Sequence, residues 1–226
     1  GHIADVTALA ARPDGSGVIS GDWEGLVKSW DWNTEDVHTL RVRGDWIVAQ
    51  VYHSAWNPDE TLLLCATNRG DLPAWNRAGQ GVHVYQPQAI TRRVAFDPDG
   101  SIVVVATDSA DVMLFHAADS TAYRSVRAHR APILGLSVQR DGERIATASI
   151  DSTVKLWSFP DLDLLRSFVG HRGAVKDVEF SPEGDMLASS GADGTIRLWD
   201  PASGRSLGVL QADDSEVDDI AFDFRG

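Results

Sequence analysis

Apolar residues in this chain fall into short runs, alternating or rich in β-branched types, and each run closes on a turn signature. The pattern is clearest between Gly170 and Asp200. Val175, Val178 and Phe180 mark one run, and Ser181-Pro182-Glu183-Gly184 follows as a turn. Met186–Ser190 is a second run, Ala192-Asp193-Gly194-Thr195 a second turn, and Ile196–Trp199 a third run. Proline presets φ at the second turn position, and glycine accepts the positive φ that a side chain resists. β-rich runs of this length, split by such turns, predict consecutive antiparallel hairpins.

The turn after the first strand recurs as Arg12-Pro13-Asp14-Gly15, Asn57-Pro58-Asp59-Glu60, Asp97-Pro98-Asp99-Gly100, Gln139-Arg140-Asp141-Gly142 and Ser181-Pro182-Glu183-Gly184. An aromatic residue closes the third strand at Trp30, Trp75, Phe115, Trp157 and Trp199. Both series step by 45, 40, 42 and 42 residues. A fourth β-rich run follows each aromatic, at Val37–Val42, Val82–Gln86, Ala122–Val126, Leu164–Val169 and Ser206–Leu210. Four strands in a repeat of roughly 42 residues is the arithmetic of a β-propeller blade. The spacing predicts one all-β array over 1–226, with repeats at about 1–43, 44–86, 87–128, 129–169 and 170–210. Val217, Ile220 and Phe222 match Val175, Val178 and Phe180 at an offset of 42, so 211–226 reads as the first strand of a sixth repeat.

Gly170-His171 with Trp199-Asp200, Ala128-His129 with Trp157-Ser158, and Gly1-His2 with Trp30-Asp31 give this array its identity. It resembles the WD-repeat (WD40) β-propellers along essentially its whole length. The middle repeats depart from the family pattern: Asp45 and Pro87 stand at the His position, and Trp75-Asn76 and Phe115-His116 replace Trp-Asp. Rings in this family most often have seven blades, so the resemblance implies part of a larger propeller. The missing blades would come from the rest of the chain, a partner or a second copy.

The resemblance also implies a hydrogen-bond network inside each repeat, linking His, a strand hydroxyl, a turn Asp and Trp. It carries over to His129, Ser149, Asp151 and Trp157 in the fourth repeat. In the fifth it carries over to His171, Asp193 and Trp199, with Gly191 at the hydroxyl position. The first repeat supplies His2 and Trp30, with Glu24 at the Asp position and Asp22 at the hydroxyl position. The second keeps Thr67 and Trp75, and the third Thr107 with Ser109 at the Asp position. Imidazole, carboxylate and indole N–H are tolerated inside a sheet when they satisfy one another, so these His–Asp pairs read as structural rather than catalytic.

Composition narrows the function. The net charge of −13 and pI near 4.8 disfavour nucleic acid and anionic membrane as partners. The single Cys65 excludes an intramolecular disulfide and fits a reducing compartment, and no signal peptide is visible, so the expected location is cytoplasmic. The seven histidines lack metal-ligand spacing, no glycine-rich phosphate loop precedes a helix, and no cofactor is expected. The chain reads as non-enzymatic, with a propeller hydrolase as the least favoured alternative.

In WD-repeat propellers, partner-binding side chains concentrate on the face that bears the loops before the first strand and between the second and third strands. Carried over by position, that face takes Trp23, Trp46, Asn68, Asp108, Arg130, Ile150 and Arg172. Trp and Arg are the residues richest in interface hot spots. For Trp23 and Arg172 a partner contact stands beside the simpler alternatives, packing on the local turn for the one and solvation for the other. The expected function is a protein- or peptide-binding module, the sensing or scaffolding part of a larger signalling protein or assembly. The alternative is a structural assembly subunit whose open propeller edge is completed by another chain or segment.

Overall fold

The computed structural model describes residues 1–40, 50–212 and 215–223. These form five four-stranded antiparallel sheets, with no helix among the described residues. The first sheet orders β1 (Val6–Ala11), β2 (Gly17–Asp22), β3 (Val27–Asp31) and β4 (Val37–Leu40). The second orders β5 (Val51–Trp56), β6 (Leu63–Thr67), β7 (Leu72–Trp75) and β8 (Gly81–Tyr85). The third holds β9 (Thr91–Phe96), β10 (Ile102–Thr107), β11 (Asp111–His116) and β12 (Ala122–Arg127). The fourth runs β13 (Ile133–Val138), β14 (Arg144–Ser149), β15 (Thr153–Ser158) and β16 (Leu164–Val169). The fifth runs β17 (Val175–Phe180), β18 (Leu187–Gly191), β19 (Thr195–Trp199) and β20 (Ser206–Gln211). The chain divides into two compact units, residues 1–105 with 113–124, and residues 106–112 with 125–226.

The repeat extends to local defects. The first strand of a sheet carries a bulge at the same place in four cases, between Val6 and Ala8, Val51 and His53, Ile133 and Gly135, and Val175 and Asp177. One extra residue there bends the strand and increases its twist. The turn into the second strand closes by a bond from the fourth turn residue to the first, as Gly15, Glu60, Gly100, Gly142 and Gly184 donate to Arg12, Asn57, Asp97, Gln139 and Ser181. All five donors have positive φ. Glu60 is the one that is not glycine, at φ 59°. Its carboxylate accepts the Asp14 backbone N–H at 2.5 Å and pairs with Arg77, which also meets Asp14.

Second strands are buried on both faces. In β6, Leu63, Leu64, Cys65 and Ala66 are all fully enclosed, the continuous apolar run expected when a sheet is covered on both sides. Within each unit, consecutive sheets interlock through the outer strand. Within the first unit Tyr85 of β8 stands edge-on 5.7 Å from Phe115 of β11, and Leu40 of β4 shares a core cluster with Trp75 of β7. Within the second unit Phe168 of β16 lies 5.5 Å from Trp199 of β19, in a cluster with Ala146, Ala148, Val154 and Leu156 on one sheet and Val175, Val178, Phe180 and Leu187 on the other.

The expected first strand of a sixth repeat is not a sheet strand. Described residues 215–223 carry no strand, and their amides reach β17 and β18 largely through side chains. Val217 N–H donates to Gly191 O at 3.2 Å, Ile220 N–H to Asp177 Oδ2 at 3.5 Å and Phe222 N–H to Glu179 Oε2 at 2.9 Å. A strand needs backbone partners, and here carboxylates take their place.

Replacing Phe168 with Ala should lower unfolding free energy by about 3–5 kcal/mol in a denaturant titration. Leu210→Ala, at the matching but exposed position of β20, should cost under about 1 kcal/mol.

Candidate partner-binding loops and the network that holds them

Three sheets carry the same buried polar chain. In the fourth, Trp157 Nε1–H donates to Thr147 Oγ1 at 3.0 Å, and Thr147 and His129 Nε2 are 2.7 Å apart. His129 Nδ1 lies 3.0 Å from Asp151 Oδ2. In the fifth, Trp199 donates to Ser189 at 2.9 Å, Ser189 meets His171 Nε2 at 2.8 Å, and His171 Nδ1 meets Asp193 at 3.0 Å. In the first, the chain runs Trp30, Ser20, His2 and Asp22 at 2.6, 2.6 and 2.7 Å. An indole N–H only donates, so the hydroxyl accepts there and spends its own proton on Nε2. The imidazole proton then sits on Nδ1 and is given to the carboxylate. Every member is satisfied with a neutral imidazole.

These contacts correct three expectations. Ser149 is not the hydroxyl of the fourth repeat. Its Oγ donates to Ala131 O and Pro132 O, both at 2.9 Å, and Thr147 links the network. Gly191 marks no missing hydroxyl, because Ser189 supplies it. A Cβ at Gly191 would stand 2.4 Å from His171 Nδ1, so glycine makes room for the ring. In the first repeat the carboxylate is Asp22 rather than Glu24, and Ser20 is the hydroxyl. The reason is register: Trp157 pairs with Ile145, Trp199 with Leu187 and Trp30 with Val18. The indole reaches diagonally to the residue two places along the neighbouring strand, which is Thr147, Ser189 or Ser20. The signal was present in the sequence, since each hydroxyl lies ten residues before its Trp and eighteen after its His.

The second and third repeats lose the chain stepwise. Val105 stands ten residues before Phe115, an apolar pair with nothing to satisfy. Cys65 stands ten before Trp75, and the Trp75 indole nitrogen has no partner among the described residues. The Cys65 thiol lies 3.4 Å from Ser54 Oγ, and burial pushes its pKa up to about 12, which leaves it unreactive. Thr67 and Thr107 donate instead to the backbone carbonyls of Asp71 and Asp111.

A carboxylate, an imidazole and a hydroxyl in sequence resemble a hydrolase triad. Here the hydroxyl is sealed: Thr147 and Ser189 are fully buried and already accept an indole proton. Burial drives the pKa of both His129 and His171 below the usual imidazole value. Burial works against charge on Asp151 and Asp193 as well. Donated hydrogen bonds from the Arg130 and Arg172 backbones, from Thr153 and Thr195, and from the imidazoles outweigh it and hold both carboxyls below their ordinary range. Among the described residues, no group of three or more His, Cys, Asp or Glu side chains is placed to hold a metal ion.

The same carboxylates reach the loops. Asp151 Oδ2 accepts the Arg130 N–H at 3.0 Å, and Asp193 Oδ2 accepts the Arg172 N–H at 2.8 Å. Each arginine thus has a fixed backbone and an exposed side chain, and neither guanidinium has a hydrogen bond or ion pair among the described residues. The turn between second and third strands is stitched to the same end of its sheet. Trp23 N–H donates to Asp5 O, Asn68 to Gln50 O and Ile150 to Pro132 O, at 2.9, 3.2 and 3.1 Å. Trp23 is 59% and Ile150 45% exposed, Asn68 is exposed and Asp108 half-buried. Trp23 and Asn68 belong to the first unit; Asp108, Arg130, Ile150 and Arg172 belong to the second. Trp46, like Asp45, lies outside the described residues.

Thr147→Val strands the Trp157 N–H and should cost about 1–3 kcal/mol by chemical denaturation. Adding Trp157→Phe, which recreates the Val105–Phe115 pairing, should make the double variant less destabilised than the sum of the singles. Stability should also fall as pH drops below the ordinary histidine value of 6.5. With folded-state pKa values below that of the unfolded chain, the unfolded state binds more protons in this window, and acid favours it. Denaturant midpoints measured from pH 8 to pH 5 should show the loss, and replacing His129 and His171 with Gln should flatten it.

A family model for the WD40 repeat (WD domain, G-beta repeat) matches residues 1–31, 120–158 and 162–200. No curated protein matches the chain. The matched segments hold the three complete networks, and the sheets between them keep the four-stranded order with altered polar residues. The three matches support a WD-repeat family for this chain.

Proposed function

We propose that this protein is a non-catalytic protein-interaction module, the sensing or scaffolding part of a larger signalling protein or assembly. WD40 repeats generally mediate protein–protein interaction or scaffolding. The observation that carries the reading is the division of labour at Arg130 and Arg172. Their backbones are clamped by Asp151 and Asp193, and their guanidiniums have no hydrogen-bond or ion-pair partner among the described residues. A fixed base with a free tip suits recognition, because the backbone is already ordered and only side-chain freedom remains to be lost on binding. Trp23, with most of its ring in solvent, offers the apolar counterpart. The partner is a protein or peptide that meets Arg130 and Arg172 with Asp108 and Ile150 in the second unit; Trp23 and Asn68 of the first unit, and Trp46, are the corresponding candidates of the other repeats. The sealed hydroxyls of Thr147 and Ser189 support the non-catalytic reading. The charge of −13 supports a partner that is neither nucleic acid nor an anionic membrane, and one buried cysteine is compatible with the cytoplasm.

Trp23→Ala and Arg172→Ala should each reduce partner capture in a quantitative pull-down by about tenfold or more. The melting temperature should stay within about 2 °C of the parent, since both side chains are largely exposed. Unfolding of either variant, or undiminished capture by both, would overturn the assignment.

A further inference from the structure

Arg130 and Arg172 do not stand alone on their loops. Each loop also meets a second cation, carried by the third strand of the same sheet. Lys155 Nζ of β15 donates to Ala128 O at 2.6 Å, two residues before Arg130. Arg197 of β19, the counterpart of Lys155 forty-two residues on, lies against Gly170, two residues before Arg172. A Cβ on Gly170 would stand 2.7 Å from Arg197 Nη1, so glycine makes room for the guanidinium. Arg197 has no hydrogen bond or ion pair among the described residues, and its Nε is buried without a partner. Two cation pairs thus recur at the repeat spacing.

The carboxylates at the same loops do not neutralise these pairs. Asp151 and Asp193 are taken up by the Arg130 and Arg172 backbones, the imidazoles, and Thr153 and Thr195. Lys176, by contrast, has an ion pair with Glu216 at 2.5 Å. The uncompensated charge is felt inside the sheet, where Lys155 and Arg197 each disfavour protonation of the neighbouring histidine. The fourth and fifth sheets share one core cluster, and Asp177 Cα would come within 2.8 Å of a Cβ on its counterpart Gly135. Packed sheets stand about 10 Å apart, a distance that an extended chain covers in roughly three residues. Ile150, 45% exposed, sits beside the first pair, directly before the Asp151 that holds Arg130.

We propose that the cation pairs Arg130–Lys155 and Arg172–Arg197 are two carboxylate subsites for an extended acidic peptide, whose Asp or Glu residues stand about three positions apart with an apolar residue between them on Ile150. This names the chemistry of the partner and rests on the reading of these loops as the binding surface. The exposed guanidiniums of Arg130 and Arg172 present a fork that takes a carboxylate with two parallel hydrogen bonds. Lys155 and Arg197, held lower against the loop backbone, supply fixed positive charge beneath them. Elsewhere the chain carries a large excess of acid, with a net charge of −13, and would repel the same peptide. Attraction at two points on a repelling surface sets the register of the bound segment.

The probe is a labelled synthetic peptide with the core Glu-Leu-Leu-Glu between glycines, titrated with the whole chain by fluorescence anisotropy. It should bind about tenfold or more tighter than the matching Gln-Leu-Leu-Gln peptide, and the advantage should shrink as added salt screens the charges. Arg130→Gln and Arg172→Gln change exposed side chains, and each should weaken the Glu peptide by about fivefold or more while leaving the Gln peptide unchanged. No binding of the Glu peptide, equal binding of the two peptides, or Glu-peptide binding untouched by both substitutions would overturn the proposal. Failure of the loop reading itself is distinguishable, because it alone predicts loss of capture by Trp23→Ala and Arg172→Ala in the pull-down, whatever the charge of the partner.

Discussion

The loop end of each complete repeat depends on one buried proton arrangement, a neutral histidine with its hydrogen on Nδ1. That tautomer lets the indole donate to the hydroxyl, the hydroxyl to Nε2 and Nδ1 to the carboxylate, so four polar side chains enter the sheet interior without an orphan. The carboxylate has acceptor capacity left over, and it spends this on the backbone of Arg130 or Arg172. A chain of bonds that begins at a buried tryptophan thus ends by fixing a surface loop. A buried polar chain and an exposed guanidinium are adjacent for this reason.

Packing supplies the complementary constraint. Second and third strands such as β6 and β7 are apolar on both faces and need a neighbour on each side. The outer-strand knobs Leu40, Tyr85 and Phe168 show how that need is met. The third repeat shows that the polar chain is dispensable once hydrophobic packing remains: Val105 and Phe115 replace hydroxyl and indole together, and the sheet still forms. The second repeat changed only one of the two, and its buried Trp75 nitrogen records the mismatch.

The repeat spacing was legible because turns are decided locally. Proline and glycine announce their φ preferences in any context, and all five turn donors after the first strand do adopt positive φ. The relay hydroxyls were not legible from alternation alone, since Thr147 and Ser149 share one strand face and a period of two cannot separate them. Only the pairing of Trp157 with Ile145 selects Thr147. Asp22 escaped for a related reason, since it reaches the imidazole from the strand end rather than from the turn. Residues 217–222 carry the apolar pattern of a first strand, but pattern does not report whether a backbone partner is present.

The most direct measurement of this account is the protonation of the two buried imidazoles by nitrogen NMR. His129 and His171 should hold their hydrogen on Nδ1, with Nε2 bare, and should titrate with pKa values below 6.5. A hydrogen on Nε2, or titration at or above 6.5, would contradict the relay and remove the physical basis for the fixed arginine loops.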